Sequence, residues 1–153
     1  MESKKSFFPL FIDLNNKECL IVGGGTIALR KTKTLLDYGA RVTVIAPEVS
    51  AEFYNLDVEI KKEIFKVGHI GNQFLVVAAT DNENLNEMIV DLCEDKNIIV
   101  NNITSKTYMT ARFSANIEND EYQIAISAKG EPKKSVQLKK ELIKILGKEK
   151  KEN

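Results

Sequence analysis

Three consecutive glycines, Gly23-Gly24-Gly25, constrain the fold of this 153-residue chain more than any other feature of its sequence. They follow the apolar run of residues 19–22 and precede residues 26–38, which are rich in helix-forming side chains. Gly39 is placed to cap the end of that helix. A short apolar strand, a glycine turn and a helix in this order are typical of the first unit of a parallel sheet covered on both faces.

The same alternation of apolar strands with helices or turns continues to Asn101. Further strands are predicted at four apolar runs, residues 42–46, 58–60, 74–79 and 98–100. Before the last run, a helix packed on a sheet is predicted by the i, i+3, i+4, i+7 spacing of Leu85, Met88, Ile89 and Leu92. Asp81 or Asn82 can cap this helix, and Asp81 is expected to be a cap first. The order predicts an α/β fold with a Rossmann-like, doubly wound parallel sheet.

Two flanking regions differ from this pattern. Leu10, Ile12 and Leu14 alternate with other positions as a strand folding back onto the next one would. After Asn101, residues 122–126 resemble a strand and residues 135–147 an amphipathic helix, whose inward face is predicted to hold Leu138, Leu142, Ile145 and Leu146. This small C-terminal α+β appendage cannot hold a core of its own. Its apolar face is therefore expected to pack on the main domain or on a second subunit.

Charge and hydropathy narrow the choice of partners and location. Lys plus Arg and Asp plus Glu number 22 each, so the global charge favours neither nucleic acid nor a membrane surface as a partner. No run approaches the roughly 18 apolar residues of a membrane span, and residues 7–12 are too short for a signal peptide. Cys19 and Cys93 lack metal-ligand spacing and suit a reducing compartment as buried thiols. We therefore expect a cytoplasmic protein without a metal site.

The glycines fit the G-x-G-x-x-A pattern of a dinucleotide loop. Gly23 permits the tight turn, Gly25 lets the backbone approach a pyrophosphate, and Ala28 is small enough for close packing of helix on strand. Free N–H groups at the helix start then face the phosphates. The acid that usually holds the ribose is missing, because the second strand ends in Ala46-Pro47 and Glu48 follows. No Arg is placed to meet a 2′-phosphate, which favours NAD over NADP as the cofactor.

Five segments together resemble one known family, and the most specific are the triple glycine, Ala28-Leu-Arg-Lys31 and Ala78-Ala-Thr-Asp-Asn82. The others are Pro9-Leu-Phe-Ile-Asp-Leu14 and Gly39-Ala-Arg-Val-Thr-Val44. They look like the precorrin-2 dehydrogenase module of siroheme synthases. The resemblance implies a homodimer that oxidises precorrin-2 to sirohydrochlorin with NAD. It also implies an NAD-binding Rossmann domain over residues 1–113 and a dimerisation and substrate-side segment over residues 114–153.

The resemblance also assigns site residues. The phosphate, adenosine and nicotinamide contacts fall on Gly23, Gly24, Gly25, Thr26, Ile27, Pro47, Glu48, Thr80, Asp81 and Asn101. Thr104 stands where the family has a proposed catalytic Asp, and its hydroxyl cannot act as a base near neutral pH. Asp81 is a second candidate for the proton that the substrate loses. Basic residues expected to attract the carboxylates of the tetrapyrrole substrate are Arg112, Lys129, Lys133 and Lys134.

Several alternatives stay open. Thr104, together with the lack of the helical C-terminal module of longer family members, also fits a non-catalytic NAD- and tetrapyrrole-binding carrier or partner subunit of the same pathway. A nucleotide-sensing domain is a further class, but such domains usually end the second strand in an acid, whereas this strand ends in Ala46-Pro47. Insertion of iron into sirohydrochlorin, which some family members perform, is not predicted. His69, the single histidine, is expected to be a loop residue rather than a catalytic one.

Overall fold

A five-stranded parallel sheet organises residues 7–111 of the computed structural model, which describes residues 5–147 of the chain. The strands are β1 (Glu18–Val22), β2 (Arg41–Ile45), β3 (Val58–Lys61), β4 (Leu75–Ala78) and β5 (Ile99–Asn102). Their order across the sheet is β3-β2-β1-β4-β5. The chain therefore runs outward from β1 to β3 and then returns to pair β4 with β1. This reversal creates a switch point between β1 and β4, where parallel sheets bind ligands beyond the carboxyl ends of their strands.

Two helices cover the sheet. Helix α1 (Thr26–Asp37) packs on β1 and β2, and helix α2 (Glu83–Asp95) packs on β4 and β5. Leu20, Val76 and Val100 project from three adjacent strands into the cluster that α2 covers. Short 3₁₀ turns at Ala51–Asn55 and Val67–His69 complete the connections around β3. The predicted Rossmann-like α/β fold is confirmed, and the apolar runs between residues 19 and 100 form the predicted strands.

The strand predicted from Leu10, Ile12 and Leu14 is wrong. Residues 5–17 contain no strand, and Phe8, Leu10 and Phe11 are exposed. The reason lies in the sheet, because β2 and β4 already occupy the two edges of β1. Period-two alternation alone does not show that a neighbouring strand edge is free.

The predicted face of helix α2 is only partly correct, because Ile89 is buried in the core while Met88 is not. The buried residues of the helix are Asn86, Ile89, Val90 and Cys93, whereas Met88 is 41% exposed. Leu85 and Leu92 pack only partly against the core. The helix begins at Glu83, and the side chain of Asn82 accepts a hydrogen bond from the N–H of Leu85 at 3.0 Å. Asn82 is therefore the cap, and the expectation that Asp81 caps the helix is wrong.

The second compact unit comprises residues 112–147 with residues 5–6, and the division after Ala111 falls close to the predicted boundary at residue 113. Strands β6 (Ala115–Glu118) and β7 (Gln123–Ile126) form an antiparallel hairpin, and helix α3 (Pro132–Leu146) follows. Strand β6 was not predicted. The predicted inward face of α3 is only partly correct, since Leu142 is half-buried while Leu138, Ile145 and Leu146 are exposed. The outer ends of the two predicted regions, residues 1–4 and 148–153, lie outside the described residues.

Candidate dinucleotide site

The glycine loop follows the carboxyl end of β1, and the carboxyl ends of β2 and β4 flank it. Gly23 has φ +130°, a conformation that side chains rarely adopt, and its N–H donates to the carbonyl oxygen of Ile45 at 2.9 Å. A Cβ on Gly23 would lie 2.2 Å from the carbonyl oxygen of Ala79. One on Gly24 would lie 2.2 Å from the carbonyl oxygen of Glu48. Both glycines are therefore required by the close approach of neighbouring backbone.

Gly25 is different, because no residue that the structure describes occupies the space beside it. A Cβ there would have no heavy atom within 4 Å, and Gly25, Thr26 and Ile27 are all exposed. Gly25 is the N-cap of α1, with no side-chain cap, and the first turn contains no acidic residue. The carbonyl oxygen of Gly25 accepts from Leu29 at 2.9 Å, so the earlier N–H groups of the helix have no partner within it. This open, positively polarised cradle fits the pyrophosphate of a dinucleotide.

The loop after β2 lies against the glycine turn. The N–H of Ser50 donates to the carbonyl oxygen of Gly24 at 2.9 Å, and Pro47 and Glu48 are exposed beside it. The predicted adenosine-side residues are thus next to the predicted phosphate loop. The buried hydroxyl oxygen of Ser50 has no hydrogen-bond partner among the described residues. No sequence pattern singled out Ser50.

The turn after β4 forms the other side of the site. Ala79 donates its N–H to the carbonyl oxygen of Val22 at 2.8 Å, which holds this turn beside the glycine loop. Thr80 and Asp81 follow directly, and the Asp81 side chain is exposed at the carboxyl edge of the sheet. The structure therefore brings the Thr80 backbone next to Gly23, with Asp81 following in the same turn. The contact of this turn with the nicotinamide stays a prediction.

Asn86 connects this turn to the end of β5, and sequence reasoning missed it. Its Oδ1 accepts from the N–H of Thr80 at 3.2 Å and from the Thr80 hydroxyl at 2.6 Å. Its Nδ2 donates to the Thr80 carbonyl oxygen at 3.0 Å and to Oγ1 of Thr104 at 3.1 Å. The side chain is fully buried. A polar residue on the buried face of α2 was the available signal, but the predicted helical stripe did not include position 86.

The hydroxyl of Thr104 both accepts and donates a hydrogen bond within the protein. Besides accepting from Asn86, Oγ1 of Thr104 donates to Oδ1 of Asn102 at 2.9 Å, and the Thr104 N–H donates to the same oxygen at 3.0 Å. The predicted catalytic position thus lies at the carboxyl edge of the sheet. Its role in catalysis stays a prediction.

Asn101 is buried beside this network and points elsewhere. Its Nδ2 donates to the carbonyl oxygen of Ala111 at 2.9 Å and lies 3.4 Å from the sulfur of Met109. Its Oδ1 has no hydrogen-bond partner among the described residues. The side chain is 3% exposed, so a bound dinucleotide would reach it only through a rearrangement of this segment. The predicted contact of Asn101 with the cofactor stays a prediction.

The predicted substrate residues all lie in the second unit. Arg112 is half-buried, whereas Lys129 is exposed and adopts a positive φ of 54°. Lys133 and Lys134 are exposed at the start of α3, where Nζ of Lys134 is 3.0 Å from Glu131. An exposed pair of this kind leaves the lysine free to exchange partners. Their contact with a tetrapyrrole stays a prediction.

His69 and the cysteines take no part in the site. Nδ1 of His69 accepts from the N–H of Lys66 at 2.9 Å, and Nε2 lies 3.2 Å from Glu63, so both nitrogens are used within the loop. Burial raises the pKa of the Cys19 thiol to about 11 and that of Cys93 to about 12. Within residues 5–147, no group of three or more His, Cys, Asp or Glu side chains is arranged to hold a metal ion. None of the helices in that range has the length and hydropathy needed to cross a bilayer.

Comparison with known proteins agrees with this geometry. Residues 10–115 match the model of a family described as "Putative NAD(P)-binding". The chain is 40% identical over 130 residues to the siroheme synthase of Mannheimia succiniciproducens, covering 82% of this chain and 27% of that protein. It is 34% identical over 145 residues to the siroheme synthase of Actinobacillus pleuropneumoniae, covering 92% of this chain and 30% of that protein. This chain thus spans less than a third of the length of these relatives.

A solved structure is also similar. The precorrin-2 dehydrogenase SirC superposes with a TM-score of 0.79 at 28% identity, covering 91% of this chain and 71% of that one. The agreement includes the five-stranded parallel sheet and extends beyond the residues matched by the family model. The chain therefore belongs to this NAD(P)-binding family and is a relative of the N-terminal region of siroheme synthases.

Proposed function

We propose that this protein oxidises precorrin-2 to sirohydrochlorin, with NAD as the hydride acceptor. The observation that carries the proposal is the open cradle at Gly25, set before the N-terminus of α1 and beside the turn that contains Thr80 and Asp81. The relatives named siroheme synthase and the similar fold of SirC, precorrin-2 dehydrogenase, support the choice of substrate.

The residues of the first unit bind and orient the cofactor in this proposal. The N–H groups at the start of α1 hold the pyrophosphate, and the exposed loop at Pro47 and Glu48 faces the adenosine. The absence of an arginine at the end of β2 favours NAD over NADP. When bound, NAD supplies the acceptor for the hydride that leaves the substrate carbon. Orientation by a rigid loop is a large part of the rate of such a step.

The reaction also releases a proton, and Asp81 is the candidate to accept it. Its carboxylate is exposed next to Thr80, whereas the hydroxyl of Thr104 already donates a hydrogen bond to Asn102. We therefore propose Asp81, or water beside it, as the proton acceptor. Arg112, Lys129, Lys133 and Lys134 are proposed to attract the carboxylates of the substrate.

The proposal includes a homodimer in the cytoplasm. Val136, Leu138 and Ile145 on α3 are exposed apolar side chains, with Ile145 exposed by 78%. A second copy of the chain that covers this face would bury apolar surface, which stabilises dimers. Free thiols at both Cys19 and Cys93 fit a reducing compartment.

The test is anaerobic turnover of precorrin-2 with NAD, following NADH absorbance together with the sirohydrochlorin spectrum. We expect turnover above the rate without protein. In Gly25→Asp the turnover rate should fall at least 100-fold, because the new carboxylate occupies the phosphate cradle. Gly68→Asp is the matched control, since a Cβ at Gly68 also meets nothing within 4 Å and Gly68 lies in the 3₁₀ turn between β3 and β4, not in the glycine loop. Equal turnover by Gly25→Asp and the intact protein would contradict the proposed site.

A carrier or partner subunit is the second candidate function, and the committed hydroxyl of Thr104 favours it. This position holds no group able to act as a base near neutral pH. Absence of turnover by a protein that still binds NAD and sirohydrochlorin would support the carrier. Coupled appearance of NADH and sirohydrochlorin would exclude it.

A further inference from the structure

The amide of Asn86 has used its whole hydrogen-bonding capacity. A side-chain amide offers two acceptor lone pairs and two donor hydrogens, and the four contacts to Thr80 and Thr104 account for all of them. Three of these contacts hold one residue, Thr80, through its N–H, its carbonyl oxygen and its hydroxyl. The fourth reaches across to Thr104, so Asn86 fixes the loop after β4 relative to the loop after β5.

The direction of each hydrogen bond follows from backbone groups, which have fixed roles. The N–H of Thr80 only donates and its carbonyl oxygen only accepts, which sets the orientation of the Asn86 amide. Asn102 is set in the same way, because its Oδ1 faces the N–H of Thr104 and its Nδ2 donates to the carbonyl oxygen of Tyr108 at 3.2 Å. The Thr104 hydroxyl lies between a donor and an acceptor of known direction. It therefore accepts from Asn86 and donates to Asn102.

An asparagine at the buried position 86 indicates a role other than stabilising the fold. It lies on the buried stripe of α2 with Ile89, Val90 and Cys93, where an apolar residue would avoid the desolvation of an amide. A network of this kind contributes little net stability but is costly to break, and it allows a single arrangement of the groups it joins. The groups joined here are the loops at the carboxyl ends of β4 and β5, next to the glycine loop.

We propose that Asn86 is a positioning residue for the nicotinamide half of the bound dinucleotide. It holds the Thr80–Asp81 turn and Thr104 in the arrangement that receives the nicotinamide ring, and the Thr104 hydroxyl connects the hydrogen bonds of Asn86 and Asn102 rather than accepting a proton from the substrate. This inference rests on the proposed function, since it requires NAD to bind at the glycine loop. The pyrophosphate and adenosine contacts are separate from the network.

The test compares Asn86→Asp with Asn84→Asp, an identical change at an exposed position of the same helix. Calorimetry gives the Kd for NAD and for ADP-ribose, which lacks the nicotinamide ring. In Asn86→Asp we expect the ratio of the Kd for NAD to the Kd for ADP-ribose to rise at least tenfold. In Asn84→Asp we expect it to stay within twofold of its value in the unmodified protein. Amide hydrogen exchange at Thr80 should quicken in Asn86→Asp only.

A purely structural role would weaken both ligands equally, and an unchanged ratio would overturn the proposal. Thr104→Val and Thr104→Ser test the same network if Asn86→Asp does not fold, because Thr104 is itself exposed. The valine should raise the ratio and the serine, which keeps the hydroxyl, should leave it unchanged. An unmodified protein that binds neither ligand would instead refute the proposed function.

Discussion

Nδ2 of Asn86 donates a hydrogen bond of 3.1 Å to Oγ1 of Thr104, which joins the buried face of a helix to the loop after the edge strand β5. The two residues are 18 positions apart in sequence. Through this bond and those to Thr80, one buried amide holds two of the loops that surround the proposed cofactor. The hydroxyl at position 104 is consequently part of the scaffold of the site.

Gly23 should be the glycine on which folding depends most. Gly23→Ala places a methyl group 2.2 Å from the carbonyl oxygen of Ala79 at a φ of +130°, so we expect it to lower the free energy of unfolding by more than about 2 kcal/mol. Gly25→Ala meets no atom and should cost less than about 1 kcal/mol. Urea denaturation measures both. Equal losses in the two variants would contradict the assigned roles of these glycines.

Thr104→Asp is expected to weaken the network rather than to create a catalytic base. At neutral pH a carboxylate only accepts hydrogen bonds, so Oδ1 of Asn102 loses the donor that now lies at 2.9 Å. We expect a loss of about 1–3 kcal/mol in the free energy of unfolding, measured with urea, and no gain in turnover. A variant that is both as stable as the unmodified protein and faster would show that position 104 tolerates an acid.

The buried thiol of Cys93 should make stability fall at alkaline pH. Its pKa is raised to about 12 from the usual 9.0, chiefly because burial disfavours the thiolate. As pH rises above 9, the unfolded chain ionises first, so the stabilising contribution is complete below pH 9 and is lost between pH 9 and 12. The cost of Cys93→Ala in urea unfolding should therefore shrink by roughly 2 kcal/mol between about pH 8 and pH 10.5.

Met88→Ala is the control for that measurement, because Met88 lies on the same helix and does not ionise. Its cost should be the same at both pH values. A cost of Cys93→Ala that stays constant with pH would show that the thiol ionises as readily in the folded chain as in the unfolded one.

The apolar face of α3 should set the oligomeric state. Ile145 is 78% exposed in the single chain, and Ile145→Glu would place a charge in the proposed interface. We expect sedimentation velocity to show a dimer for the unmodified protein and a monomer for this variant. Val67→Glu is the control, since Val67 is exposed by 57% in the other unit of the chain. A monomeric unmodified protein would contradict the proposed dimer.

The parts of the fold that the sequence predicts are those with local causes. A strand, a glycine turn and a helix follow one another at Gly23, and the conformation there depends on residues close in sequence. Apolar runs such as residues 74–79 are sufficient to identify strands that are buried on both faces. The position of Thr80 and Asp81 beside the glycines then follows from the parallel arrangement, because the carboxyl ends of adjacent strands share an edge.

Other features depend on contacts between distant residues. Leu10 and Ile12 alternate as strand residues do, but both edges of β1 are occupied by partners that no local pattern reveals. Asn86 lies between Leu85 and Glu87 in sequence, and its connection to the loop after β5 becomes visible only when Thr104 is placed next to it. The choice between Asp81 and Asn82 as helix cap likewise depended on backbone geometry.

The most direct test of the central claim is titration calorimetry of the intact protein with NAD. We predict one NAD site per chain in the unmodified protein, with Kd raised at least 100-fold in Gly25→Asp and changed less than twofold in Gly68→Asp. Absence of NAD binding by the unmodified protein, or equal binding by Gly25→Asp, would contradict the assignment of the glycine loop as a dinucleotide site.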